Sequence, residues 1–389
     1  HEDLPGVPIV TETMTRDQQI DNPRASVKEV YDYIMKDLNY AVEILKDSVP
    51  RQRYRIGGIA AYGLRARANL LMQNYEGARD DAEQALYIGE AVNLSVLSAN
   101  DAKTPGFNDI NAKNIIWGIQ FTPDDPVVKS ILATFESMMC SLKYAQTAPL
   151  TYSVRGHVLR KINPDFFNQI DPSDCRKTWW CTNEYTQGLR YFFIKNKVDA
   201  SEIPTQIGII QRDHWQRQEY VNIKFGPNDN NPGSRYNAAD FPLMRMEEMR
   251  LIAAEARGHI NEADGIRALE SFVKNRQASY SYSTVQRELN QTSFDEEIYR
   301  QRAIEFWGEG LTFFDMMRFE FPLVRATQGS ILAKSGPAKD HNQGGYPEGA
   351  RFNLEKNDPR FLFQFPRVEI LNNPKVVQNP AGEKIEDMW

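Results

Sequence analysis

The chain has 389 residues, of which 41% are hydrophobic and 25% charged, and this is the composition of an ordinary globular protein with a large core. A formal net charge of -6 without a long basic run argues against nucleic acid as the main partner, because phosphate binding needs concentrated Lys and Arg. No apolar run approaches the ~20 residues that a membrane-spanning helix needs, so any membrane attachment is expected to come from elsewhere.

The three cysteines, Cys140, Cys175 and Cys181, are too few for a disulfide scaffold. They also lack the CxxC spacing that is typical of zinc and redox sites. Cys175 and Cys181 could close a small loop, but unpaired thiols are the favoured interpretation because an odd count leaves at least one cysteine free. The sequence predicts no metal site and no cofactor.

The first predicted element is an amphipathic helix over residues 26–46, where apolar residues recur at spacings of three and four. Ser26 and Glu29 form a capping box at its start, and Pro50 ends the segment. A helical pair follows at roughly 56–73 and 75–88. Its large and small residues resemble those of a tetratricopeptide repeat, in which a ring on one helix fits against small residues on its neighbour. The residues at these positions are Tyr62, Ala66, Ala78 and Ala85.

The texture changes between about residues 91 and 240, where Pro, Gly, Asn and Asp are scattered among short β-favouring runs. Residues 114–121 predict a strand, and residues 188–194 and 219–225 give weaker strand patterns. Residues 226–233 are a loop by composition. This is where a helical scaffold would carry its variable surface.

Helical periodicity returns at Pro242 and continues to Gly258 and Asn261, which separate it from a second helix ending near Arg276. A further helical pattern over residues 293–319 begins with another capping box. The tail after Pro322 is rich in Gly, Pro and Asn, and mostly loops are expected there.

The sequence contains no recognisable nucleophile–base motif. Glu305 and Glu309 lie one helical turn apart, and an all-α glycoside hydrolase could use such acids as general acid and base. Such neighbours lie ~5–6 Å apart at Cβ and point the same way, so they do not flank a sugar bond from opposite sides. A structural network with Arg302 and Arg318 is therefore the favoured interpretation, because buried charges need partners.

The aromatic residues are the better clue to function, since the chain has 17 Tyr, 6 Trp and 20 Phe. Flat rings stack on the CH face of a sugar while polar side chains bond its hydroxyls, although packing in the core is the alternative for each ring. Adjacent tryptophans in a strand face opposite sides, so at most one of Trp179 and Trp180 should be buried on a given face, and the other is a candidate platform. The predicted ligand-binding residues are Trp179, Trp180, Tyr185, Trp215, Tyr236 and Arg212.

Five segments follow one another in a characteristic order. They are residues 31–41, the helical pair 60–85, an extended segment meeting a helix at 241–256, the acidic and basic pattern 302–318, and the closing stretch 365–382. Together they resemble the SusD/RagB family, the surface nutrient-binding lipoproteins of Bacteroidetes. Gln301 and Thr312 depart from the pattern, because relatives often carry Glu and Arg there.

The resemblance implies a mainly α fold, a tetratricopeptide-type helical scaffold with a loop-rich face carrying short strands. A single domain over 1–389 is expected, with tetratricopeptide-like helices at 24–90, a variable ligand face at 91–240, scaffold helices at 241–320 and a loop-rich tail at 321–389. The family's binding residues lie in variable loops, so none transfers to this chain by motif.

The function implied by the resemblance is non-enzymatic glycan binding, as the lid of a SusC-like TonB-dependent transporter. The expected location is the outer face of the outer membrane, reached through an N-terminal lipid anchor that this chain does not include. A peptide-binding lid is the nearest alternative. A tetratricopeptide scaffold that binds only another protein and an α-helical glycosidase are the others.

Overall fold

The computed structural model describes residues 3–103, 106–122, 124–129, 160–181, 199, 201–202, 220–225, 239–289, 293–324 and 353–381. The helices of this part are α1 (Arg16–Ile20), α2 (Val27–Leu45), α3 (Gly58–Leu71), α4 (Tyr75–Ala91), α5 (Ala99–Ala102), α6 (Pro126–Lys129), α7 (Pro164–Asn168), α8 (Met246–Ile260), α9 (Glu262–Lys274), α10 (Tyr282–Leu289), α11 (Phe294–Glu305), α12 (Thr312–Arg318) and α13 (Arg367–Asn372). None of these described helices is long and apolar enough to span a bilayer.

The strands are short and form antiparallel pairs. They are β1 (Ile115–Ile119) with β4 (Phe241–Arg245), β2 (Trp180–Cys181) with β3 (Val221–Asn222), and β5 (Leu323–Val324) with β6 (Asn353–Leu354). Short 3₁₀ helices occupy Cys175–Trp179 and Pro359–Phe361. The mainly α fold with short strands that the sequence predicts is confirmed.

The predicted first helix is confirmed as α2, with its capping box. The Ser26 hydroxyl accepts from the amide of Glu29 at 3.2 Å, and the Glu29 carboxylate accepts from the amide of Ser26 at 2.8 Å. These two bonds satisfy donors that the first helical turn leaves open. Val42 is the one residue of α2 that is fully buried. One side of α2 therefore lies on α3, and much of the rest is exposed.

The main core lies between α3, α4 and α8, where small side chains allow the helices to pack closely. Ala66, Ala78, Ala82 and Ala85 are completely buried at this interface, and Met246 and Met249 of α8 fill the space between them. Alanine has little side-chain entropy to lose in such a site, and methionine adapts to irregular gaps. The predicted helical pair is confirmed by α3 and α4.

Two boundaries of α8 differ from the helical periodicity. Pro242 lies in strand β4 opposite Gly118, so the helix begins at Met246, four residues later than predicted. Gly258 does not end α8, which continues to Ile260. The glycine instead provides room for the ring of Phe294, which a Cβ at this position would meet. Each difference reflects a contact with a distant part of the chain that overrides the local pattern.

The helical pattern predicted over residues 293–319 is broken in the structure. Helix α11 ends at Glu305, and α12 starts at Thr312. Between them Gly308 and Gly310 have φ angles of 78° and 85°, the left-handed region that glycine enters without a Cβ clash. The break turns the chain, so Trp307 packs on one core cluster while Leu311 packs on another.

Candidate functional site

Eight charged side chains meet between the 3₁₀ helix Cys175–Trp179, strands β3 and β4, and helices α8, α9 and α11. The cations are Arg176, Lys224, Arg245 and Arg276, and the anions are Asp174, Glu247, Glu305 and Glu309. We call this set the charge cluster. Its formal charges balance, and the side chains are at most 3% exposed except that of Glu309, which is 11% exposed. Burial of so many charges is tolerated only because each has opposite partners.

Glu305 lies at the centre of the charge cluster and receives three guanidinium groups. Its carboxylate accepts from Arg245 Nη1 at 2.7 Å, Arg276 Nε at 3.2 Å and Arg176 Nη1 at 3.3 Å. Burial alone would raise the pKa of Glu305, but the charges of Arg276, Arg245 and Arg176 outweigh it and hold the pKa well below its ordinary value. Glu305 is therefore a permanently ionised structural group.

Lys224 is fully buried, and its ammonium group has a full set of acceptors. Nζ donates to Glu309 Oε1 at 2.6 Å, to the carbonyl of Glu305 at 2.8 Å and to the carbonyl of Trp307 at 2.9 Å. The same nitrogen lies 4.7 Å from the ring centres of Phe107 and Trp179, within cation–π range. Burial lowers the pKa of Lys224 to about 8, although Glu309 opposes the shift.

Glu309 is held by Arg245 as well as by Lys224. Arg245 Nε and Nη2 each approach the Glu309 carboxylate at 2.9 Å, which is the bidentate geometry that Arg forms with a carboxylate. Burial would raise the pKa of Glu309, but Arg245 and Lys224 lower it below its ordinary value. The structural interpretation of Glu305 and Glu309 is thus correct.

The predicted partners of these two acids are wrong. Arg302 Nε donates to Asp315 at 2.8 Å, and Arg318 bonds both Asp315 and Glu255, so these residues form a separate network. The true partners come from positions 176, 224, 245 and 276, which no helical spacing links to residue 305.

The departure at Gln301 belongs to the same buried region. Arg176 Nη2 donates to Gln301 Oε1 at 2.6 Å, while Gln301 Nε2 donates to Glu297 Oε1 at 2.9 Å. A neutral amide can accept from one neighbour and donate to the other, which a carboxylate cannot do.

A cluster of rings packs beside the charge cluster. Its buried members are Phe107, Ile162, Phe167, Ile170, Trp179, Trp180, Tyr220, Phe225 and Ile304, which we call the aromatic cluster. Phe107 lies edge-on to Trp179 with ring centres 5.7 Å apart, and Trp180 lies edge-on to Trp307 at the same separation. Such edge-to-face pairs are stabilising beyond the area that they bury.

Trp179 and Trp180 are both buried, with 1% and 0% of their surface exposed. The expectation that one of them stays exposed as a platform is wrong. Trp179 ends a 3₁₀ helix and Trp180 begins β2, so the alternation of a regular strand does not apply to the pair. The indole of Trp179 donates to the carbonyl of Ala102. Neither ring offers a face to a ligand in this structure.

The other predicted ligand-binding residues, Tyr185, Trp215, Tyr236 and Arg212, lie outside the described residues. The described ends of their segments are nevertheless informative. Strand β2 ends at Cys181 and strand β3 begins at Val221, and these two strands pair directly.

Residues 226–238 run between Phe225 and Ala239, both buried. Next to them, Asp240 accepts from the amides of Ile110 at 3.0 Å and Phe121 at 2.9 Å. Of the described residues at or next to the ends of the two candidate segments, Trp180, Tyr220 and Phe225 belong to the aromatic cluster.

The cysteines and possible metal ligands add no chemistry in the described part of the chain. Cys175 is a free, buried thiol, so it forms no bridge with Cys181, and burial raises its pKa to about 12. A thiol with so high a pKa is a poor nucleophile at neutral pH. No group of three or more His, Cys, Asp or Glu side chains suited to a metal ion occurs among the described residues.

Comparison with known proteins identifies the fold. The family model of the SusD family matches residues 161–381, more than half of the chain. The chain belongs to the SusD family. This confirms the resemblance found in the sequence, and the match covers all the carboxylates and guanidinium groups of the charge cluster.

Solved structures of the SusD type share the fold over nearly the whole chain. A SusD-like carbohydrate binding protein from Bacteroides vulgatus matches with a TM-score of 0.69 and 22% identity over 96% of this chain and 70% of that one. A putative sugar binding protein from the same species matches with a TM-score of 0.68 and 22% identity, over 97% of this chain and 70% of that one. A SusD superfamily protein from Bacteroides thetaiotaomicron matches with a TM-score of 0.65 and 20% identity, over 98% of this chain and 72% of that one. Curated proteins give no significant sequence match.

Proposed function

We propose that this SusD-family protein binds glycans without turning them over, as the lid subunit of a SusC-like TonB-dependent transporter. It would work on the outer face of the outer membrane, held there by a lipid anchor. The observation that supports the ligand face is that described residues at or next to the ends of segments 182–219 and 226–238 belong to the aromatic cluster, namely Trp180, Tyr220 and Phe225. Two proteins that share the fold are a carbohydrate binding protein and a putative sugar binding protein, which supports a glycan as the ligand.

Within this proposal the glycan contacts are Tyr185, Trp215 and Tyr236 as stacking rings and Arg212 as a partner of hydroxyl groups. Aromatic faces bind the CH surface of a sugar, and a guanidinium group donates in a fixed fork to its oxygens. Trp179 and Trp180 are buried and have a supporting role without contacting the ligand. They fix β2 and β3, from which the first of the two segments starts and to which it returns.

The charge cluster supports binding rather than hydrolysis. A glycosidase needs one carboxylic acid with a raised pKa that protonates the leaving oxygen. Glu305 and Glu309 have lowered pKa values, and both are occupied by guanidinium or ammonium groups. They cannot deliver a proton to a sugar bond, so we assign them to the frame that supports the ligand face.

A rigid frame also favours tight binding. Loops that leave a fixed base lose less entropy when a ligand orders them, and this preorganisation raises affinity. Lys224 follows strand β3, and Arg245 ends strand β4. Their side chains bond Glu305 of α11 and Glu309 of the Gly308–Gly310 turn, so they link these strands to that part of the frame. The buried charges thus have a role in positioning even though none of them contacts the ligand.

Isothermal titration against a panel of oligosaccharides tests the proposal. We expect at least one glycan to bind, and Trp215→Ala or Tyr236→Ala to weaken its binding about fivefold or more, since one stacked ring contributes ~1–3 kcal/mol. Trp180→Phe is the matched control, because that buried ring should affect stability and leave affinity nearly unchanged. Binding of peptides but no glycan would favour the peptide lid. Binding of neither would favour the scaffold that binds only protein.

A further inference from the structure

An open groove of about 840 Å³ lies on the far end of the helical pair, between α2 and the turn that joins α3 to α4. One wall is the exposed side of α2, and the other is formed by the end of α3 and the residues after it. Met35 and Tyr40 line the first wall, and Met72 lines the second. The groove is separate in sequence from the charge cluster and from the segments proposed to bind glycan.

The floor of the groove is fixed by hydrogen bonds. Asn74 Nδ2 donates to Asn69 Oδ1 at 2.9 Å, and Asn69 Nδ2 donates to Asp81 at 2.9 Å. Arg65 Nη1 donates to Asn39 Oδ1 at 3.0 Å, and Arg65 Nη2 forms an ion pair with Asp81 at 2.6 Å. The Arg65–Asn39 bond joins the two walls, and the bonds of Asn69 and Asn74 order the turn between α3 and α4, so the groove is a built feature of these helices.

The walls present apolar surface to solvent. Tyr40 is 64% exposed and Met72 is 41% exposed, although both are large enough to be buried in a core. Methionine and tyrosine side chains suit contact with a partner, because methionine adapts its shape and tyrosine combines an apolar ring with a polar end.

The charge of the groove selects the partner. Three carboxylates, Asp32, Asp37 and Glu43, line it against one ammonium group, Lys36. Asp37 and Glu43 lie three residues before and after Tyr40, so they flank the ring along the helix. Asp32 already has Lys28 at 2.6 Å, whereas Asp37 and Glu43 form no ion pair with any described residue.

We propose that this groove docks a cationic segment of a partner protein, an amphipathic helix with Lys or Arg beside apolar residues. The cations would pair with Asp37 and Glu43 and lie over the ring of Tyr40, where a cation–π contact adds to the attraction. The apolar residues would cover Met35 and Met72, as in other grooves that receive an amphipathic helix. This surface acts independently of glycan binding.

Fluorescence anisotropy with a labelled Leu/Lys amphipathic peptide of about 18 residues, some five helical turns, tests the docking. In low-salt buffer we expect saturable binding that weakens as salt is added. The double variant Asp37→Asn/Glu43→Gln should raise the Kd about tenfold or more, and Tyr40→Ala should raise it severalfold. A Leu/Glu peptide with the same apolar pattern should not bind.

The matched control is Glu262→Gln/Glu288→Gln, which removes the same charge from exposed positions on α9 and α10 and should leave the Kd within about twofold. Equal weakening in this control would overturn the proposal, because the protein's overall charge would then explain the binding. Binding of the Leu/Glu peptide, or displacement of the Leu/Lys peptide by neutral oligosaccharide, would also overturn it. Glycan titration of the Asp37→Asn/Glu43→Gln variant should be unchanged, which separates this test from that of the glycan face.

Discussion

Replacing Glu305 by Gln tests the charge cluster most severely. The variant keeps the volume and some hydrogen bonds but removes the one negative charge that Arg176, Arg245 and Arg276 share. The cluster would change from four cations and four anions to a net buried charge of +1. Breaking a buried pair in this way costs about 3–5 kcal/mol, since the remaining charge loses its partner without regaining water.

This loss converts to a measurable shift in melting temperature. Unfolding entropy is about 2.1 cal/mol/K per residue, so a chain of 389 residues unfolds with roughly 0.8 kcal/mol/K. A loss of about 3–5 kcal/mol therefore lowers Tm by about 4–6 °C, which differential scanning calorimetry resolves. Glu262→Gln, at an exposed position on α9, is the matched control and should shift Tm by less than about 1 °C.

The double variant Glu305→Gln/Arg276→Gln sharpens the test, because it restores the charge balance. It should be more stable than the sum of the two single losses predicts by about 1 kcal/mol or more, the coupling expected for contacting groups. A Glu305→Gln variant that melts within about 1 °C of wild type, or fully additive losses, would refute the idea that balanced charge holds this region together.

Three further predictions concern the same interior. Burial lowers the pKa of Lys224 to about 8 from its ordinary 10.5. Between these pH values the unfolded chain keeps the proton on Lys224, whereas the folded protein has released it. The stability of the wild type relative to Lys224→Met should therefore rise from about pH 8 to about pH 10. Urea unfolding across that range checks the slope, and a flat or falling difference would contradict it. Gln301→Glu should cost about 1–3 kcal/mol in thermal unfolding, since it sets a second carboxylate against Glu297, and a stabilised variant would show that the amide is not needed. With the other two cysteines changed to serine, Cys175 should react with a thiol reagent only on unfolding, because burial raises its pKa to about 12, and fast labelling of the folded protein would disprove its burial.

The sequence predicts a helix well when the features that specify it lie within the helix or at its ends. The capping box of Ser26 and Glu29 and the small residues of α3 and α4 act within a few residues or between neighbouring helices, so the sequence shows them directly. The same holds for β1, which the run of β-favouring residues at 114–121 predicts and Ile115–Ile119 confirms.

The remaining boundaries depend on distant parts of the chain. Strand β4 exists because it pairs with β1, which places Arg245 opposite Ile115 across a long stretch of sequence. The break between α11 and α12 depends on glycines at 308 and 310 that sit within an otherwise regular apolar pattern. In both places tertiary contacts and backbone conformation override periodicity.

The site shows the same division. Sequence spacing identified Glu305 and Glu309 as structural acids but could not name Arg176, Arg245 and Arg276 as partners, since these join them only in the fold. Strand alternation predicts one exposed ring in the pair Trp179–Trp180, but the 3₁₀ helix before Trp180 removes that alternation. Whether a ring is exposed depends on the residues that pack over it, and the amino-acid composition of a segment does not identify those residues.

Glycan binding without turnover can be measured in one experiment, by titrating wild-type protein with the oligosaccharide panel and then recovering each bound glycan for mass spectrometry. We expect saturable binding that Trp215→Ala abolishes or weakens about fivefold or more, and recovery of the glycan at its original length. Absence of binding to every glycan, or shorter products that disappear in the Glu305→Gln variant, would contradict it.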